Sequence, residues 1–425
     1  MSIANVHAAE RLPRSELAVE GRRRHAAHLC GLAIVVLAVG APLFYWGLFD
    51  RIVADHAAHV RFAQRGVAEG VWPAHFLLQA LIYTLSGFQT GFVALAWTAL
   101  ALLSACVVAK AWLSYGLLVR YCPELPPTSA ERSTWLSHAT LLAVVTGELM
   151  LSGPIIRPWW TSRIYLGQVS PNIWHNPTSL VCWPLAILLF FAAVEFLRTR
   201  QARLLVAVSV LTAVSVLAKP NYFLAFAPVY GVLAWRRLGV SRVGLLAIAA
   251  LAPAVLLLGW QWLASFGGPR VMRPGQHVAW MPLAAWRVYS NWITVSLLFS
   301  LAFPLSYLVI YRRSLRYREM LLFAWGVMLS ALVWMAGFAE VHDADGVVDA
   351  EFNFSWGAHL SLFILFLVTA IDLFDQQAAD PAVAEHASTG RISRALAQVP
   401  WWLLAAHAAS GLVWITRQAI GRGLG

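Results

Sequence analysis

Apolar runs long enough to cross a bilayer recur along the whole chain and decide what it can fold into. A helix of about 20 apolar residues crosses the hydrocarbon core of a membrane, which is roughly 30 Å thick. Because lipid offers no hydrogen-bond partners, each such run is predicted to be a helix that satisfies its own backbone. We place nine spans near residues 28–48, 88–118, 135–156, 177–197, 243–264, 291–311, 320–338, 355–374 and 399–416.

The apolar stretch between Arg203 and Arg236 is too long for one span, and Lys219-Pro220-Asn221 interrupts it. Proline removes a helix hydrogen bond, so this stretch predicts two short helices that meet near Lys219. The sequence thus predicts an all-α polytopic bundle of about eleven transmembrane helices. We expect residues 1–425 to form a single membrane-embedded domain.

Composition excludes several classes of protein. The chain is 60% hydrophobic and only 12% charged, whereas soluble domains are roughly 25% charged. The net charge of +11 comes from basic residues spread over short loops, a pattern typical of loops that face anionic lipid and not of nucleic-acid binding. The four scattered cysteines predict neither a disulfide framework nor a zinc site.

The distribution of arginine predicts the orientation. With the N-terminus inside, the inner segments carry 19 arginines and the outer segments carry 10. Positive residues concentrate in cytoplasmic loops. The tail 1–27 and the link 375–398 are therefore predicted to be cytoplasmic, and the C-terminus is predicted to lie outside.

The first outer loop carries an acid and two histidines at helical spacing. Residues 50–65 contain no proline or glycine, which favours a helix, and a second short helix is predicted over 72–83. Asp55, His56 and His59 then share one helix face. A desolvated Asp55 near His59 and Arg61 could act as a general base. The alternatives are a solvated helix that Asp55 caps, or a metal site at Asp-His-x-x-His.

Further outer loops supply basic and hydrogen-bonding residues. The loop 157–176 holds Arg157, Arg163, His175 and Asn176, and a guanidinium binds phosphate in a fork geometry. Asn176-Pro177 alternatively marks only the start of a helix. The loop 265–290 adds Arg273 and His277.

Lys219 lies well inside an apolar stretch, where a cation is costly and usually faces a cavity or a partner. An anion-facing role is one interpretation. The other is that the side chain snorkels to the outer interface.

These features together resemble the GT-C superfamily of membrane glycosyltransferases, which includes protein mannosyltransferases and the aminoarabinose transferase of lipid A. The resemblance covers most of the chain: the number of spans, the cytoplasmic N-terminus, and an acid early in a first outer loop with two surface helices. The run from Asp55 to Ala63 is similar to the acidic motif of that loop. Residues 170–178 and 217–221 are similar to segments of bacterial members. The sequence has no large soluble C-terminal domain, which leaves the acceptor class open.

The resemblance implies a polyprenyl-phosphate-linked sugar as donor and an extracytoplasmic acceptor. Metal dependence varies across the superfamily, and we predict no metal and no cofactor. It implies a bacterial inner membrane with the site on its outer face. Asp55 would act as base with His59 beside it, and Asp50 competes for that role. The substrate-binding candidates are Asp50, His56, Arg61, Arg157, Arg163, His175, Asn176, Lys219, Arg273 and His277. The alternatives are an O-antigen-type polymerase or ligase, and a transporter or flippase that uses the Lys219-Pro220 break.

Overall fold

The structure is a computed structural model that describes residues 14–49, 55–122, 140–155, 167–266, 275–342, 346–348, 352–379 and 391–420. These residues are mostly helical, which confirms the predicted all-α class. The helices are α1 (Arg14–Phe49), α2 (His56–Glu69), α3 (Leu77–Leu85), α4 (Phe92–Tyr121), α5 (Pro177–Thr199), α6 (Ala202–Ala218), α7 (Asn221–Leu238), α8 (Arg242–Ala249), α9 (Ala252–Phe266), α10 (Ala284–Arg287), α11 (Ile293–Ser300), α12 (Ala302–Tyr311), α13 (Arg318–Gly337), α14 (Ser355–Ala379) and α15 (Arg391–Ala419). A π-helix covers Val144–Leu149, and two short antiparallel strands, β1 (Gln276–Trp280) and β2 (Phe338–His342), pair with each other.

Seven helical segments of the described chain are long and apolar enough to cross a membrane. An eighth span results if α11 and α12, which meet at 65°, count as one. The protein is therefore a polytopic membrane protein, but the predicted total of eleven spans is not confirmed. Of the predicted span 135–156, the structure describes residues 140–155, and these contain a helix over Thr140–Leu149.

Helix α14 forms the centre of the bundle. Every residue from Ser355 to Asp375 is buried, whereas α1, α7 and α9 each expose large apolar side chains on one face. A helix that is apolar all round belongs inside a bundle, and a helix with an exposed apolar face suits contact with lipid. Among the described spans, α14 alone is fully enclosed, although its apolar run resembles the others in sequence.

Ion pairs and hydrogen bonds identify one end of the bundle. At this end Arg120 pairs with Glu195 at 3.0 Å, Arg316 pairs with Asp375 at 3.0 Å, and Arg237 pairs with Glu319. Most arginines of the described helices and turns gather here: Arg120, Arg198, Arg200, Arg203, Arg236, Arg237, Arg242, Arg312, Arg313, Arg316 and Arg318. We refer to this end as the arginine end.

The predicted break at Lys219 is confirmed. Helix α6 ends at Ala218 and α7 begins at Asn221, with Pro220 preceding its first turn. Because α5, α6 and α7 follow one another with short connections, α6 runs back from the arginine end and the Lys219 turn lies beside the start of α5. The two predicted helices of the first loop are also present, as α2 and α3.

Candidate functional site

Asp55 immediately precedes α2, at the N-cap position, but its carboxylate does not cap that helix. Asn176 Nδ2 instead donates to Asp55 Oδ2 at 3.3 Å. The Asp55 backbone N–H donates to the His175 carbonyl oxygen at 3.1 Å. The first loop is therefore tied to the segment that precedes α5, and the half-buried carboxylate is directed towards that segment.

The side-chain amide of Asn176 connects the acid to the lysine. Its Oδ1 accepts from the Ser179 N–H at 3.0 Å, so Asn176 caps α5 as the Asn-Pro pattern predicts. The same oxygen accepts from Lys219 Nζ at 3.3 Å, while the amide nitrogen donates to Asp55. One side chain thus caps a helix and fixes both charged groups.

Lys219 is buried, with 5% of its surface exposed, so it does not snorkel to the surface. Its Nζ donates to Thr178 Oγ1 at 2.9 Å as well as to Asn176. The ammonium also lies 5.2 Å from the centre of the Trp356 ring, within the range of a cation–π contact. The described residues therefore hold the cation by neutral oxygens and an aromatic face.

Four helix N-termini meet around these residues. Helices α2, α5 and α7 begin directly after Asp55, Asn176 and Pro220, and α14 begins at Ser355 beside Trp356. The Trp356 ring lies 5.4 Å from the His175 ring. Unpaired N–H groups and the helix dipole make each N-terminus attractive to anions. Their convergence on one lysine favours an anionic ligand.

The two histidines of α2 are buried on its inner face. Burial lowers the pKa of His56 to about 4, opposed by an interaction with the Trp174 backbone. Burial, with smaller effects from His75, Lys219 and His56, lowers the pKa of His59 well below its ordinary value. His59 Nδ1 lies 2.7 Å from Gln79 Nε2 of α3. Burial therefore lowers the pKa of both imidazoles and favours their neutral forms.

The segment that carries His175 and Asn176 is held by a second buried lysine. Lys110 Nζ donates to Asn172 Oδ1, and it lies 3.9 Å from the ring centres of both Trp183 and Phe363. Asn172 Nδ2 donates in turn to the Leu149 carbonyl at 2.7 Å. Together these contacts fix the backbone that leads into the site.

Other predicted site residues lie elsewhere. Arg61 is exposed, with its guanidinium 5.9 Å from the centre of the Phe92 ring. His277 is exposed on β1 with Val341 as its register partner. The remaining candidates fall outside the described residues: Asp50, Arg157, Arg163 and Arg273. Among the side chains that the structure describes, no three His, Cys, Asp or Glu are grouped so that they could hold a metal ion.

Some residues of the site were not singled out by sequence reasoning. Gln79, Thr178, Trp356 and Lys110 each contact a site residue or its supporting loop. Lys110 carried a usable signal, because a lysine inside an apolar span is rare and requires a partner. The other three have the composition of ordinary helix starts and interfaces, so only their contacts identify them.

Comparison with models of protein families gives no match, and comparison with curated proteins gives none either. The functional interpretation therefore depends on the chemistry of this site.

Gly357, in the first turn of α14, permits the close approach of α14 to the start of α7. A Cβ at this position would lie 2.8 Å from the Asn221 carbonyl oxygen. We expect Gly357→Ala to lower stability by about 1–3 kcal/mol, because backbone must move to relieve the overlap. A thermal unfolding midpoint in detergent measures this. Gly259→Ala is the matched control, since a Cβ there meets nothing within 4 Å. Equal midpoints for the two variants would contradict the close approach.

His56 predicts a pH dependence of stability. Its pKa is about 4 in the folded protein, so below pH 6.5 the unfolded chain binds a proton that the folded chain does not. Stability is therefore fully present above pH 6.5 and is lost as the pH falls towards 4, by up to about 3 kcal/mol from this residue. His56→Phe should flatten the dependence of the unfolding midpoint on pH over this window.

Phe44→Leu is the control for this experiment. Phe44 packs against His56 with ring centres 5.5 Å apart, but it does not titrate. This variant should lower the midpoint at every pH and keep the wild-type slope. An unchanged slope in His56→Phe would show that His56 does not carry the effect.

Proposed function

We propose that the protein is a membrane glycosyltransferase that moves a sugar from a polyprenyl-phosphate donor to a hydroxyl acceptor outside the cytoplasm. The observation that carries the proposal is the Asn176 amide, which holds a carboxylate at one end and a buried ammonium at the other. A base and an anion-binding group fixed close together are what glycosyl transfer from a phosphate requires.

The cationic half of the site suits a phosphate leaving group. Lys219 and the N-termini of α5, α7 and α14 supply positive charge and N–H donors from fixed positions. Such preorganised groups stabilise charge that develops in the transition state, which is often the largest catalytic contribution. The donor phosphate would lie against Lys219.

The acidic half suits the acceptor. An Asp55 oxygen would take the proton of the acceptor hydroxyl while that hydroxyl oxygen forms a bond to the anomeric carbon. The bond between the anomeric carbon and the phosphate oxygen breaks, and its electron pair leaves with the polyprenyl phosphate. We expect inversion at the anomeric carbon, because acceptor and leaving group occupy opposite sides of it.

The position of the site also supports a lipid-linked donor. Asp55 and Lys219 lie at the end of the bundle opposite the arginine end. Because arginines favour the cytoplasmic side, the site would face outward from a bacterial inner membrane. Nucleotide sugars are cytoplasmic substrates, whereas a donor anchored in lipid can present its sugar at this surface.

A transporter would use the same helix break differently. Transporters bind substrate at broken helices near the middle of the membrane. Lys219 instead contacts Thr178 in the first turn of α5, so the break is level with helix starts. This position favours an interfacial transferase over a transporter.

Asp55→Asn tests the base. The substitution keeps an oxygen that can accept from Asn176 but cannot take a proton. We expect transfer of radiolabelled sugar from polyprenyl phosphate to cell-envelope lipid to fall by about 100-fold or more. The full chain is purified in detergent, and its unfolding midpoint confirms that the variant is folded.

Glu69→Gln is the matched control, since Glu69 is an exposed acid at the end of the same helix. It should transfer label at the wild-type rate. Undiminished sugar transfer by Asp55→Asn would show that Asp55 is not the catalytic base. Counter-flow of the donor in proteoliposomes, with no covalent product, would favour the transporter instead.

Lys219→Met tests the phosphate-binding group. Loss of a preorganised charge should lower kcat/KM by about 100-fold to 1,000-fold, and kcat should fall as well as affinity because the charge acts on the leaving group. Lys219→Arg should recover part of the loss. Arg65→Gln, an exposed basic residue on α2, is the control. Full activity in Lys219→Met would contradict the assignment.

A further inference from the structure

A cleft of about 510 Å³ opens at the arginine end, remote from Asp55 and Lys219. We call it the arginine cleft, and its basic residues are Arg120, Arg198, Arg237, Arg316 and Arg318. It lies between the last turns of α4, α5 and α7 and the first turn of α13. Its volume falls within the range of about 300–1,000 Å³ that ligand sites occupy.

The cleft is positively charged, and four of its five arginines are held by acids, including Arg316 by Asp375 at 3.0 Å. Five arginines line it against two acids, Glu195 and Glu319. Glu195 accepts from Arg198 at 2.7 Å and from Arg120 at 3.0 Å, and Glu319 pairs with Arg237. These pairs orient guanidinium groups without cancelling the charge of the cleft.

Arg318 differs from the other four. It is exposed at the first residue of α13, and among the residues that the structure describes it forms no ion pair. A guanidinium in this position has its fork of donors available for a planar or tetrahedral oxyanion. Arg318 is therefore the residue through which a ligand can be recognised.

The remaining wall of the cleft is apolar. Val194, Leu197, Leu233 and Phe323 line it beneath the arginines. Next to this wall, Val232 and Trp235 are exposed on α7 with 57% and 65% of their surfaces accessible, as expected of a helix face that contacts lipid. The cleft thus joins a cationic rim to an apolar surface on the outside of the bundle.

The cationic rim and the apolar wall of the cleft together suit one class of ligand. A soluble phosphate would use the arginines but would gain nothing from the apolar wall. A membrane phospholipid would place its phosphate at the rim and its acyl chain along the wall. We propose that the arginine cleft binds the headgroup of an anionic phospholipid from the leaflet on that side of the membrane.

This site is separate from the proposed transferase site. Helix α5 connects the two regions: Asn176 precedes its first residue, and Arg198 lies in its last turn. Its 23 residues extend about 34 Å at 1.5 Å per residue. The lipid proposal therefore stands whether or not the protein transfers sugar.

Native mass spectrometry of the full chain in a mild detergent, titrated with phosphatidylglycerol, measures the binding. We expect Arg318→Gln to weaken it about fivefold, the effect of one basic residue near an anionic lipid. Arg312→Gln is the matched control, because Arg312 is exposed directly after α12, six residues before Arg318, but does not line the cleft. Equal losses of phosphatidylglycerol binding in both variants would show that the lipid responds only to the overall positive charge of the arginine end. That result would overturn the proposal.

A second pair of variants tests the apolar wall. Leu233→Trp should fill the wall and weaken binding of phosphatidylglycerol without a change in charge. Val232→Trp, on the neighbouring exposed position of α7, should leave it unchanged. Equal affinities of the two variants for phosphatidylglycerol would show that the acyl chain does not contact this wall.

Two further probes identify the ligand class. Zwitterionic phosphatidylcholine should bind more weakly than phosphatidylglycerol, because the cleft carries an excess of arginine. Inorganic phosphate should not displace phosphatidylglycerol at equal concentration. Displacement by inorganic phosphate, with a loss of that effect in Arg318→Gln, would identify a soluble anion site and overturn the lipid proposal.

Discussion

The site depends on the hydrogen bonds of one amide, that of Asn176. A side-chain amide has a donor end and an acceptor end, so it can satisfy a carboxylate and an ammonium at the same time. Here the nitrogen donates to Asp55 and the oxygen accepts from Lys219, while the same oxygen caps α5. A buried charge is stable only if its surroundings are polar and fixed. Asn176 contributes to this for the buried Lys219 and for the half-buried Asp55, and it links three parts of the chain that are far apart in sequence.

The membrane imposes the wider arrangement. Helices that cross lipid must end at its surfaces, and each end leaves backbone groups unpaired. One end of this bundle collects helix starts around a lysine, and the other collects helix ends beside arginines. The helix dipole is positive at N-termini and negative at C-termini. The helix starts therefore add to the positive potential around Lys219, whereas Arg120, Arg198 and Arg237 lie at favourable last turns of α4, α5 and α7. The same dipole therefore bears on the proposed anion site at one surface and on the basic cleft at the other.

Sequence reasoning predicted the helical segments well because burial in lipid demands long apolar runs. It also predicted the break at Lys219 and the helix start at Asn176-Pro177, both of which follow from the geometry of proline. The described residues contain seven or eight segments that are long and apolar enough to span, so the predicted total of about eleven is not confirmed. Apolar content alone does not show the 65° bend between α11 and α12. The interpretation of Asp55 as a helix cap was correct in its position. It was wrong about the carboxylate, which accepts from Asn176 and does not cap α2.

The sequence by itself determined that the protein is a helical membrane protein and that arginines concentrate in alternate loops. It also determined the residue types at the ends of the helices. These follow from local composition, since each helix satisfies its own backbone. Only the tertiary structure decided that Asp55 and Lys219 share the Asn176 amide, that Trp356 lies over the ammonium, and that Lys110 holds the supporting loop. Those contacts join residues that are tens to hundreds of positions apart. They depend on how helices pack, and equally apolar helices give no sequence signal for which faces will meet.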